Sequence, residues 1–179
     1  MGVDGLPRKG AGFVWVVLLF LLAGCASQPG GEEPISLDIK PVVDYYFLGS
    51  YTGKAGEGFY VIAGDLTQVR EELKEILGGK PARSSFSRDE NLNIVVFRGV
   101  FPTGGYGIRI DSVQRAGNKF VVRATFTDPS KGAIVTQAFT QPTAVVPLGR
   151  LPPGEYTAEL YVRRGGEEKL HARIEFVVE

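Results

Sequence analysis

From Asn93 to the C-terminus the sequence repeats one pattern, apolar and polar residues in alternation broken by turn pairs, and a period of two selects strands with one buried face. Tyr106, Ile108 and Ile110 alternate with Gly107, Arg109 and Asp111, and Phe120, Val122, Ala124 and Phe126 alternate with Val121, Arg123, Thr125 and Thr127. The Ala116-Gly117-Asn118 link joins these two runs into a hairpin. A second hairpin closes at Gly165-Gly166, with Tyr156, Ala158, Leu160 and Val162 inward on one strand and Leu170, Ala172, Ile174 and Phe176 inward on the other. Ile94-Val95-Val96-Phe97 is apolar throughout, the mark of a strand covered on both faces, and is expected at the centre of a sheet. Val42 to Tyr51 and Gly58 to Ala63 read as two further strands joined by a Gly-rich loop. Between them and the central strand the period changes: Leu66, Val69, Leu73, Ile76 and Leu77 predict one helix at about 65–77, opened by Asp65 and Gln68 as a capping box, stopped by Gly78, and laid on one side of a sheet. The expected fold is mainly β with one helix (α+β), an antiparallel β-sandwich or small open barrel.

The N-terminal part follows other rules. Arg8 and Lys9 precede the apolar run Ala11 to Ala23, too short for the roughly 20 residues of a membrane span but suited to a secretory signal. The run ends in Leu22-Ala23-Gly24-Cys25, which resembles the bacterial lipobox, and the chain's one cysteine stands where the lipid-bearing thiol is required. Cys25 is the expected lipidation site, and two or three acyl chains at about 0.8 kcal/mol per buried methylene would hold the protein on a membrane. With that thiol used, no disulfide can brace the fold. Residues 26–34 are polar and rich in Pro and Gly, a composition for a flexible tether. The expected organisation is a signal peptide at 1–24, a tether at 25–40, a β-rich domain with its helix at 41–150 and a C-terminal hairpin completing the sheet at 151–179. The expected place is the bacterial cell envelope, outside the cytoplasm.

The composition narrows the chemistry. With 20 basic and 20 acidic residues, the chain lacks the excess of positive charge that nucleic-acid binding needs. One His and one Cys are a poor supply for metal sites or nucleophile–base pairs, and no cofactor, metal or enzymatic activity is expected. His171 alternates outward beside Arg173 and Glu175 and reads as part of a solvated face; Glu32-Glu33, Asp89-Glu90 and Glu167-Glu168 fall in tether or loops and read as solubilising charge. Pro102-Thr103-Gly104-Gly105-Tyr106, between the central strand and the first hairpin, has adjacent glycines that permit a positive φ or the close approach of another chain. By itself the element reads first as a tight turn, with a binding loop as the alternative.

Ile94-Val95-Val96-Phe97-Arg98-Gly99, then Pro102-Thr103-Gly104-Gly105-Tyr106-Gly107-Ile108-Arg109-Ile110, then Val135-Thr136-Gln137-Ala138 followed by Pro142 resembles the PrcB family of protease-complex subunits. The resemblance extends over about Glu57 to Leu148. It implies a β-rich extracytoplasmic domain, often on a lipoprotein, that associates with a surface or secreted protease of the subtilisin type and supports its stability. The hairpin from Tyr156 to Phe176 lies beyond it. Pro102 to Tyr106 also resembles the core motif of chagasin-like cysteine-protease inhibitors, although Phe101 stands where an Asn belongs, no later G-x-G-G loop follows, and the one Trp is Trp15. Three functions therefore stand open: a non-catalytic accessory or binding module on a protease, an inhibitor using the Pro102–Tyr106 loop, and an envelope-structural or small-ligand-binding lipoprotein.

Overall fold

The run Leu92–Phe97, apolar but for Asn93, explains the layering of the molecule, which a computed structural model describes for residues 32–179. In chain order the elements are β1 (Ile35–Ser36), β2 (Val42–Asp44), β3 (Gly58–Ala63), α1 (Leu66–Leu77), β4 (Ser85–Phe86), β5 (Leu92–Phe97), β6 (Gly107–Ala116), β7 (Lys119–Thr127), β8 (Thr143–Gly149), β9 (Gly154–Arg164) and β10 (Glu167–Val178). Leu92, Ile94 and Val96 of β5 turn into a core shared with the opposite sheet, while Val95 and Phe97 turn the other way, against Val69 and Leu73 of α1 and against Phe47 and Leu48. A strand buried on both faces has no polar side to show, so its sequence loses the alternation of its neighbours.

The two sheets run β2-β8-β5-β3 and β1-β6-β7-β9-β10-β4, and neither closes into a barrel. Both expected hairpins form, β6 with β7 and β9 with β10. They join edge to edge through a parallel pairing of β7 with β9, and β4 is also parallel to β10, so the larger sheet is mixed where an antiparallel one was expected. The reason is the route of the chain, which leaves β7, crosses to the smaller sheet as β8 and returns as β9. The helix begins as its sequence predicts: Asp65 Oδ1 accepts from the Thr67 and Gln68 N–H groups, both at 2.9 Å, and Gln68 Oε1 accepts the Asp65 N–H at 2.8 Å.

Other expectations change. The stretch Val42 to Tyr51 is strand only as far as Asp44, whose Oδ1 accepts the Tyr46 N–H at 2.7 Å and turns the chain out of the sheet. β2 and β3 then occupy opposite edges of one sheet. Of the expected tether at 25–40, residues 25–31 lie outside the described residues, Cys25 among them, as does the signal peptide. Its described end is part of the sheet edge: Ile35 pairs with Arg115, and Leu37 and Ile39 pack on the core. Two β-bulges also shift the phase of the alternation. One at Asp111 lets Ile108 and Val113 face the same core despite their odd spacing. The other, at His171, keeps Ala172, Ile174 and Phe176 inward but turns Leu170 out to 52% exposure, against its expected inward position.

The outer face of the large sheet carries an ionic lattice with a consequence in acid. Glu159 is buried, and the Lys119 Nζ at 2.9 Å holds its carboxyl below the usual carboxylate range. The Arg83 fork does the same for Glu90. A carboxyl with a depressed folded-state pKa adds stability above its unfolded pKa and loses it as the pH falls through the folded one. Lys119→Met should therefore raise the pH midpoint of acid unfolding, as followed by far-UV circular dichroism; an unmoved midpoint would remove Glu159 from the account.

Candidate functional site: a braced loop pair

Past the end of β5 the chain reverses and lies against a segment more than 30 residues downstream. Phe101 and Thr140 exchange reciprocal backbone hydrogen bonds, both at 2.9 Å. Thr140 Oγ1 donates to the Thr103 carbonyl at 2.9 Å, and the Gly104 N–H donates to the Thr136 carbonyl at 2.8 Å. The two sequence elements that stood out, Pro102–Tyr106 and Val135–Ala138, are thus the two sides of one structure. Gln137 remains on the exposed side, its Nε2 reaching only the Val135 carbonyl at 3.3 Å.

The adjacent glycines differ. Gly105 has φ +89°, and a Cβ there would stand 2.8 Å from both Pro129 Cβ and Val135 Cγ1. A Cβ on Gly104 would meet Thr136 at 3.4 Å, an ordinary contact. The close approach that Gly105 allows is made by the chain's own downstream segment.

Beneath the pair lies a cation that the sequence reading passed over. Arg98 continues the inward phase of Leu92, Ile94 and Val96 and is 1% exposed. Its guanidinium carbon is 5.1 Å from the Phe101 ring centre, 5.4 Å from Tyr106 and 5.1 Å from Phe126. Phe101 and Tyr106 stack on each other at 3.8 Å. One Nη donates to Asp128 Oδ1 at 2.5 Å, while the Nε and the other Nη have no hydrogen-bond partner among the described residues and lie by the rings. Three aromatic faces and one carboxylate therefore stand where water would solvate the charge. The signal was present in the phase of the strand, since every second residue from Leu92 points inward and the next in that series is Arg98.

Gln141, also missed, is fully buried; its Nε2 donates to the Tyr51 carbonyl at 2.7 Å and its N–H to the Tyr45 carbonyl at 2.7 Å, tying the 45–51 turns to the return of the loop. His171 is exposed, in keeping with the solvated face expected for it, and sits at the β10 bulge with Nε2 3.3 Å from Glu57, edge-on to Phe126. Glu57 also takes Arg164, so the Gly-rich loop is fastened to the second hairpin.

The described part of the chain is thus a two-sheet α+β sandwich presenting a braced loop pair at one end of its central strand. Residues 92–148 match the family model described as PrcB C-terminal, a stretch that runs from β5 through β8 and holds both sides of the loop pair. The match is narrower at its start than the resemblance read from the sequence and ends at the same residue. No curated protein and no solved structure matches the chain.

Proposed function

We propose that this chain is a non-catalytic, lipid-anchored subunit of the bacterial cell envelope that binds a surface or secreted protease and supports its activity or lifetime. The observation that carries this reading is the coincidence of the PrcB C-terminal match, residues 92–148, with the braced loop pair. Fold and family match together favour a binding role: the stretch forms a rigid, loop-bearing end of a sandwich, and rigid elements lose little entropy on docking. The inhibitor alternative relied on glycine backbone entering a foreign cleft, whereas Gly105 faces Pro129 and Val135 of its own chain.

The test is isolation of the tagged, full-length protein from its own membranes in mild detergent, with mass spectrometry and a peptidase assay on the eluate. A co-isolated protease whose lifetime or activity falls when this protein is deleted supports the proposal. A co-isolated but silenced protease favours inhibition, and the absence of any protease moves the function to an envelope-structural or ligand-binding role. The anchor has its own test: Cys25→Ala should release the protein from the membrane fraction, and unchanged retention would reject lipidation at that thiol.

A further inference from the structure

Between Pro129 and Pro142 the chain exposes a loop with one charged residue, Lys131, where solvated loops ordinarily carry more. Among the described residues no large apolar side chain is more exposed than Ile134, at 103% of its reference value, and Phe139 is 47% exposed five residues on. The loop bearing Ile134 is fixed on both sides. The Ala133 N–H donates to the Ser130 carbonyl at 2.9 Å, the Thr136 carbonyl accepts from Gly104, and Asp128, just before the loop, is tied to Arg98. Val135 turns inward onto Gly105, which leaves Ile134 pointing away from the fold.

We propose that Ile134 is the anchor by which this chain docks onto its protein partner, inserting into an apolar pocket shaped for one branched aliphatic side chain and rimmed by an acidic group that meets Lys131. The inference rests on the partner-binding reading above and names the contact within it. A convex, braced loop fits a concave partner, not a flat one. An aliphatic side chain held in water with its base immobilised gives up only water and its own rotamer freedom on docking, and centrally placed anchors carry most of an interface's affinity. Because the side chain touches nothing in its own fold, its replacement is neutral for folding, which separates binding from stability.

The test uses the full-length lipidated protein with a photo-reactive amino acid at position 134, irradiated in its own membranes before isolation. The crosslink is expected to map to residues lining an apolar pocket of the partner that co-isolates with the unmodified protein. In parallel, Ile134→Asp should lower the recovered partner by about tenfold or more, Ile134→Leu should retain it, and unfolding midpoints should not move. Leu66→Asp, at the opposite end of β5, should leave recovery unchanged. Full recovery with Ile134→Asp, or a crosslink to a polar surface, overturns the anchor and leaves the protease-subunit reading in place. Failure of the unmodified protein to bring down any partner overturns that reading, and the anchor with it.

Discussion

Asp128→Ala lowers the unfolding free energy by about 3 kcal/mol, a loss of core size from a side chain that is 62% exposed. The reason lies with its partner. Removing the carboxylate leaves the Arg98 guanidinium, 1% exposed, as a buried cation with ring faces as its remaining company among the described residues. Losses of about 3–5 kcal/mol are typical when one member of a buried pair is deleted, and the lower end applies here because water can reach the vacated carboxylate position. At a slope of about 2 kcal/mol per molar urea, the midpoint falls by about 1.5 M. Arg98→Met costs less, about 1–2 kcal/mol, because it keeps most of the buried volume and frees Asp128 to solvent. The double variant Arg98→Met/Asp128→Ala should be no worse than Arg98→Met alone, since the carboxylate then has no buried charge to balance. Additive losses in this cycle would show that Asp128 stabilises through something other than Arg98.

Gly105→Ala costs about 3 kcal/mol, whereas Gly104→Ala costs within about 1 kcal/mol, although the two positions are adjacent. At Gly105 the new methyl meets Pro129 and Val135 at 2.8 Å with φ at +89°, so strain in the backbone adds to overlap on both sides. Relief requires the 129–136 segment to move off the loop, which breaks the Gly104–Thr136 hydrogen bond. At Gly104 the methyl meets Thr136 at contact distance. Urea midpoints followed by circular dichroism separate the two, and equal midpoints would mean that the loop pair yields without cost. Partner binding at this end is therefore better probed at exposed side chains such as Pro102 or Ile134 than at the glycines.

Much of the fold was legible because its causes are local. The alternation in β7 and β9, the Gly165-Gly166 turn and the Asp65–Gln68 box each act within a few residues, and each is seen as read. The bulges were not legible: alternation assigns Leu170 inward, and only the pairing of β10 on β9 shows that His171 is the extra residue. The candidate loops were visible as motifs, but their contact was not, because Thr103 and Thr140 are 37 residues apart and no local rule couples them.

The sequence by itself determined the strands of both hairpins, the helix and its cap, the doubly buried central strand, and the PrcB-like elements, all of which depend on periodicity and turn chemistry within short windows. Tertiary structure alone decided the parallel seating of β9 on β7, the docking of Ile35–Leu37 at the sheet edge, and the placing of Arg98 beneath three rings, two from the loop after β5 and one from β7. Those outcomes turn on which apolar faces bury one another and which buried charge finds a carboxylate, and such choices are settled between distant segments, after the local pattern has been spent.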